Sequence, residues 1–337
     1  MKAVGFTKAL PASDPNAFVN FEPKQPTPQG HDLRIAVRAV AVNPVDTKQR
    51  RAQSEELETP RILGFDACGV VDAVGPDVSL FKAGDAVFYA GDITRPGSNA
   101  QYQLVDERIV GRKPETLSNA EAAALPLTSI TAWESFFDRL QIDPNGANAG
   151  ESILIIGGAG GVGSIGIQLA KAAGLTVIAT ASRPETVDWV TALGADHVIN
   201  HHEDMVAQTR EAGFQHVDHV AIFNDMRHWN TAVELVRPQG GIVTIDATDL
   251  PMDMTVMKTK AASLHWEFMF ARPMHDTPDM VEQHKLLNRV ADMVDAGTLR
   301  TTASHVLSPI NAATIRQAHE MVERGDARGK IVIEGWV

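Results

Sequence analysis

Gly158, Gly160 and Gly163 stand in a G-x-G-x-x-G spacing, with Gly157 and Gly161 in the same turn. Such a turn bends tightly and lets backbone N–H groups approach a pyrophosphate at a helix start. The spacing alone is a weak signal. Here it follows the apolar run Ile153-Leu154-Ile155-Ile156. It leads into Val162, Ile165, Gly166, Leu169, Ala170 and Ala173, apolar or small residues at three- and four-residue steps. Strand, turn and helix in that order are the context a dinucleotide turn requires. Gly158, Gly160, Gly161, Val162 and Gly163 are therefore the expected cofactor cradle, against the alternative of a glycine turn with no ligand.

The residues after the next strand bear on which dinucleotide binds. NAD sites place an acid there, about 20 residues beyond the turn, on the ribose 2′-hydroxyl. This chain runs Val177-Ile178-Ala179-Thr180-Ala181-Ser182-Arg183-Pro184-Glu185, with no acid before Glu185. A hydroxyl and a guanidinium, Ser182 and Arg183, suit a 2′-phosphate, so NADP(H) is the expected cofactor. Ser182 and Glu185 also match the S-x-x-E capping pattern, which needs no ligand. The missing acid carries more weight.

The elements that must position these residues alternate between 150 and about 246. Strands are expected at Ile153–Ile156, Thr176–Ala181, His197–Ile199, Val217–Phe223 and Ile242–Ile245, with helices such as Val162–Ala173 and Glu185–Leu193 between them. That alternation implies a parallel, doubly wound α/β sheet. The first third is β-rich. Leu33, Ile35, Val37 and Ala39 alternate with other residues, and short strands follow at Ala86–Tyr89 and around Tyr102–Val105, as in a sandwich or partial barrel. Ser118-Asn119-Ala120-Glu121 marks a helix start. A long helix is expected from Asp279 to about Ala296, then another helix and a strand at Ile331–Ile333. The chain would thus return to its first lobe.

Composition narrows the classes. The chain has 337 residues, 44% apolar and 21% charged, enough for about two domains of ordinary globular character. Its charge is 30 − 42 = −12, which argues against nucleic-acid or anionic-membrane binding. The single cysteine, Cys68, excludes a disulfide framework and a four-cysteine zinc site. No run nears the ~18 apolar residues of a membrane helix. MKAVGFTKALPASDP lacks a signal-peptide core. A cytoplasmic location is expected.

Several segments now resemble a known family. These are Gly150-Glu151 through the glycine turn to Gln168 and Lys171, Asn43-Pro44-Val45-Asp46, and Gly64-Phe65-Asp66-x-x-Gly69-Val70-Val71. Phe81-x-x-Gly84-Asp85-x-Val87, Leu127 to Trp133 and Gly329-Lys330-Ile331-Val332 join them. Together they look like the zeta-crystallin-like quinone oxidoreductases of the medium-chain dehydrogenase/reductase superfamily, alongside zinc alcohol dehydrogenases. The resemblance spans essentially the whole chain. It implies a GroES-like catalytic domain of residues 1–122 and 266–337, a Rossmann NADP-binding domain of 123–265, and an active site in the interdomain cleft. Zinc relatives supply Cys, His and Cys at positions that fall here on Asn43, Phe65 and Leu127. Two of these cannot ligate zinc and the third is a poor ligand, so no metal is expected. His216-x-x-His219 reads as surface or packing histidines. The methionines from Met252 to Met257 and the aromatics around Trp266 read equally as cleft lining or as packing.

The resemblance further implies NADPH-dependent hydride transfer to a quinone or an α,β-unsaturated carbonyl. Asn43 would orient substrate or nicotinamide, Asp46 would anchor it from behind, and Tyr89 would donate a proton or hydrogen bond. Thr131 would touch the nicotinamide side. Lys330 would close over the cofactor, against the alternative of a surface charge. A homodimer is expected through the edge of the Rossmann sheet, offered by Ile242–Ile245 and the Met-rich stretch after it. The rival readings are a zinc-dependent alcohol dehydrogenase and a non-catalytic NADPH-binding sensor or structural protein.

Overall fold

The computed structural model describes residues 1–325 and 327–336. They divide into two compact units, Met1–Leu127 with the described residues from Phe270 onward, and Thr128–Met269.

The first unit begins with a small antiparallel pair, β1 (Ala3–Gly5) and β2 (Val19–Phe21). The alternation Leu33, Ile35, Val37, Ala39 becomes β3 (Asp32–Val42), with those four residues buried. The short helix α1 (Pro44–Arg51) follows directly, capped at Asn43. β4 (Ala67–Val74), β5 (Ala86–Tyr89), β6 (Tyr102–Asp106) and β7 (Val110–Arg112) continue the unit. The small residues of β4 are needed because β3 lies close. A Cβ on Gly69 would fall 2.4 Å from the Ala36 carbonyl oxygen. Cys68, beside it, is fully buried, and burial pushes its thiol up to about 12.

Helix α2 (Asn119–Ala123) carries the capping box the sequence predicts, with Ser118 and Glu121 exchanging bonds. This helix is short and ends at Ala123, with Ala124 as its C-cap. Pro126 starts a new helix, α3 (Pro126–Trp133), which passes into π-helical turns over Glu134–Arg139.

The second unit alternates β8 (Ser152–Ile156), α4 (Gly161–Ala172), β9 (Thr176–Thr180), α5 (Pro184–Ala192) and β10 (His197–Ile199). It continues through α6 (Met205–Glu211), β11 (Val217–Ile222), α7 (Trp229–Leu235), β12 (Val236–Thr244) and β13 (Ser263–Trp266). All six strands are parallel, in the order β10-β9-β8-β11-β12-β13. This is the Rossmann doubly wound arrangement, with its reversal between β8 and β11. Leu154, Ile178, Val220 and Ile242 face one core with Trp229, Val233 and Met257. The expected edge needs correction. Ile242 and Val243 lie in β12, which is flanked on both sides, and the outer strand is β13.

The chain then re-enters the first unit through α8 (Ala271–Met274), α9 (Glu282–Asp295), β14 (Ala303–Leu307), α10 (Ala312–Arg324) and β15 (Lys330–Glu334). α9 starts three residues later than expected because Thr277–Met280 forms a turn, closed by Met280 N–H on the Thr277 carbonyl. β15 runs antiparallel to β3, pairing Ile331 with Val42, so the end of the chain completes the sheet order β14-β15-β3-β4-β5-β7. Among the described residues no helix is long and apolar enough to cross a membrane.

Candidate functional site

The glycine turn sits between β8 and α4. Gly157 adopts a φ of +92°, which favours glycine. Its N–H donates to Thr180 Oγ1 at 2.9 Å, tying the turn to the end of β9. Gly163 permits close packing of helix on strand. A Cβ there would lie 2.2 Å from Gly157 O and 2.7 Å from Gly158 Cα. Gly160 caps α4, and a Cβ there would meet nothing nearer than Gly157 O at 3.4 Å. The first N–H groups of α4 have no partner within the helix, by helix geometry. The donors and the positive end of the dipole suit an anionic pyrophosphate.

At the end of β9, Ala181 N–H donates to Ile199 O, so β9 and β10 release their chains side by side. The S-x-x-E cap is not formed. Pro184 takes the first helical position, which makes Arg183 the N-cap, and Arg183 N–H donates to Thr186 Oγ1 at 3.1 Å. Glu185 instead faces Arg183, whose Nε lies 2.8 Å from Glu185 Oε1. Ser182 is half-buried beside them. Behind the turn, Trp189 Nε1 donates to Ser164 Oγ at 2.8 Å and locks α5 to α4.

The first unit holds a buried charged network. Lys330 Nζ donates to Asp66 Oδ2 at 2.8 Å, to Val42 O at 3.2 Å and to Asn43 Oδ1. Asn43 Nδ2 donates to Asp66 Oδ2 at 2.8 Å and to Phe65 O at 3.4 Å. Leu127 N–H donates to Asp66 Oδ1 at 2.8 Å. Asp66 and Lys330 thus bind groups of Asn43, Phe65 and Leu127 into one knot. Beside it, Asp46 accepts from Asn43 N–H at 2.8 Å and from Gly64 N–H at 3.0 Å. Burial raises both carboxyls. Asp46 is pushed up to about 7 against the Asn43 N–H bond, and Asp66 is raised against the opposing pull of Lys330.

The site residues expected from sequence fare differently. Lys330 is neither a surface charge nor open to a cofactor. It is 3% exposed, with three bonds matching the three donors of an ammonium. Asn43 commits both amide hydrogens inside the unit. Tyr89 is enclosed as well. It lies in the core, donates to Gln103 Oε1 at 2.8 Å, and burial holds its phenol far above the ordinary value. Thr131 is buried on α3. His219 pairs with Glu151 at 2.8 Å, near the start of β8, as a packing residue would. Asp66 is the residue that sequence reasoning passed over. Its only signal is its place inside the Gly64-Phe65-Asp66 segment.

A zinc ion does not fit this donor set. Asn43, Phe65 and Leu127 offer one weak ligand, and the Lys330 ammonium repels a dication. Among the described residues no group of three His, Cys, Asp or Glu side chains could hold a metal. A nicotinamide dinucleotide does fit, because the turn presents the first N–H groups of α4, which have no partner within the helix, beside Gly160, where a Cβ would meet no atom nearer than 3.4 Å.

The family model of the alcohol dehydrogenase GroES-like domain matches residues 29–115, and that of zinc-binding dehydrogenases matches 193–333. A zinc-type alcohol dehydrogenase-like protein of Staphylococcus aureus is 48% identical over 335 residues, 99% of each chain. The crystal structure of a Rhizobium etli protein, provisionally named a zinc-dependent alcohol dehydrogenase, shares 53% identity with a TM-score of 0.95, covering 100% of this chain and 98% of that one. A 2-methylene-furan-3-one reductase of Solanum lycopersicum is 30% identical over 310 residues, 89% of this chain and 70% of the relative. The Rossmann turn and the GroES-like unit together define an oxidoreductase that uses a nicotinamide cofactor. The chain belongs to the medium-chain dehydrogenase/reductase superfamily, among its zeta-crystallin-like, zinc-type alcohol dehydrogenase-like members.

Proposed function

We propose that this protein reduces quinones and α,β-unsaturated carbonyls with NADPH and without a catalytic metal. The observation that carries the reading is the buried Lys330–Asp66–Asn43 network, an ammonium and an amide where zinc relatives present ligands. Hydride transfer between a simple alcohol and its carbonyl calls for a Lewis acid or a positioned proton donor on the oxygen, and the Tyr89 hydroxyl is already committed to Gln103. A conjugated acceptor spreads the developing charge instead, and its oxygen needs only hydrogen-bond donors and a proton. The tomato relative bears the name of a reductase of such a conjugated ketone. That agrees with the reading.

When bound, NADPH supplies the hydride. The chain's own residues hold and orient. The backbone N–H groups of Gly161, Val162 and Gly163 receive the pyrophosphate, while the Gly160 N–H stays on the Gly157 carbonyl at 3.1 Å. Ser182 and Arg183 receive the 2′-phosphate, with no acid to demand a ribose hydroxyl. Thr131 borders the nicotinamide. Asn43 and Asp46 fix Phe65 and Gly64 through the bonds described above. A cytoplasmic homodimer is the accompanying proposal.

The test is NADPH oxidation against quinones, enones, plain aldehydes and alcohols, before and after dialysis against a strong chelator, with zinc measured on the same sample. Quinone or enone turnover should survive chelation, while simple alcohols stay inert. Stoichiometric zinc with chelator-sensitive turnover would restore the alcohol dehydrogenase reading. Tight NADPH binding with no turnover on any acceptor would favour a sensor.

A further inference from the structure

We propose that His201, backed by His202 and His228, is a protonatable second cation for the cofactor's 2′-phosphate, so that the choice between NADPH and NADH depends on pH. The proposal rests on the NADPH reading above.

Strand register makes the placement. Ile199 of β10 pairs with Thr180 of β9, and Ala181 N–H donates to Ile199 O. Asn200-His201-His202 therefore leaves the sheet beside Ser182-Arg183. The three imidazoles cluster, with the His201 and His202 ring centres 4.2 Å apart and those of His201 and His228 6.3 Å apart. Among the described residues, none is a hydrogen-bond partner of the buried His201 Nδ1.

The other charges around the cluster are already matched. Arg183 pairs with Glu185 at 2.8 Å, and Arg227 pairs with Asp225 at 2.6 Å. Glu203 accepts from Asn200 Nδ2 at 2.9 Å, and Asp204 accepts from the Val206 and Ala207 N–H groups that begin α6. Among the described residues none of the three imidazoles is ion-paired with a carboxylate. Burial first, then the neighbouring cationic groups, lowers the His201 pKa, and burial does the same for His228. Both shifts favour the neutral imidazole at His201 and His228 in the free protein. A phosphate dianion arriving beside it would need one more positive charge, and a proton from solvent onto His201 supplies that charge. NADH has no phosphate there and calls for no proton.

The sign follows. Raising the pH makes the proton harder to obtain, so NADPH binding weakens relative to NADH. The phosphate's own second ionisation, near about pH 6, works in the opposite direction but is nearly complete above neutrality. The informative window is therefore about pH 6.5 to about pH 8.5.

The experiment measures Kd for NADPH and NADH by cofactor fluorescence across that window at fixed ionic strength. Calorimetry in two buffers of different ionisation heat counts the protons taken up. The Kd ratio should shift about tenfold toward NADH from the acid to the alkaline end, the scale of one charge-assisted hydrogen bond. Proton uptake should accompany NADPH alone. His201→Gln should flatten the ratio and abolish the uptake; His202→Gln, at an exposed position, should reduce both. A preference for NADPH that is constant with pH, with no proton uptake, overturns this inference and leaves the cofactor reading standing. No preference for NADPH at any pH overturns both.

Discussion

Lys330 and His319 show how far a residue's surroundings decide its chemistry. Lys330 is the cation that makes two buried carboxylates tolerable. Replacing it in Lys330→Met leaves Asp66 and Asp46 buried without a counter-charge and should cost about 3–5 kcal/mol. The penalty has a sign in pH. Lys330 is the foremost influence holding the raised Asp66 carboxyl down. Without it the native state keeps a proton that the unfolded chain releases above about pH 4. Variant stability then falls as pH rises from there toward neutrality. Thermal melts should show a deficit larger at about pH 8 than at about pH 5, and an equal deficit at both would refute the account. His319 presents the opposite case. It is fully buried on α10, its ring 4.7 Å from that of Phe18, and neither ring nitrogen has a hydrogen-bond partner among the described residues. Burial, with Arg50 nearby, lowers its pKa to about 3. The unfolded chain binds a proton near about pH 6.5 that the native state refuses until far lower, so this group's contribution is lost as pH falls across that interval. His319→Leu should reduce acid sensitivity, read as a smaller drop in urea midpoint between about pH 7 and about pH 4.5. An unchanged drop would remove His319 as a cause.

At the scale of elements, the turn before α4 separates two glycines of one motif. Gly163→Ala drives a methyl against the Gly157 carbonyl, a backbone atom that cannot swing away. It should lower stability by about 1–3 kcal/mol and weaken every nicotinamide cofactor. Gly160→Ala meets only an ordinary contact within the fold, so its melting temperature should hold while cofactor binding suffers. Equal melting losses for both would mean that the packing argument fails. This turn was legible because its signals are local: an apolar run, glycines, then a 3.6-residue period. β10 and the Ser118 cap were legible for the same reason. Ser263–Trp266 was not. Four residues with no clean alternation form a strand only because β12 lies beside them. The Lys330–Asp66 bond spans 264 residues of sequence, and no window of sequence pairs such distant groups. The Tyr89–Gln103 bond likewise joins strands β5 and β6 that are not paired with each other, so no local pattern announces it.

For the molecule as a whole, the outer strand of the Rossmann sheet is β13, and its neighbourhood exposes Trp266, Phe268 and Met254, each between 46% and 53%. An unpaired strand edge flanked by exposed apolar side chains favours self-association. Two copies meeting edge to edge with two-fold symmetry would give a homodimer. Light scattering should report twice the chain mass, and Trp266→Asp should shift the population to monomer. A monomer in the unaltered protein would refute the prediction. The single cysteine supplies a probe of a different kind. Cys68 lies in β4, inside the first unit, with its thiol buried and pushed up to about 12. A thiolate is the reactive form, so a disulfide reagent meets almost none in the closed state. The rate of labelling therefore counts openings of the first unit alone, and the second unit, with no thiol, stays silent. Comparing that rate with and without NADPH would reveal whether cofactor held by one unit slows the breathing of the other.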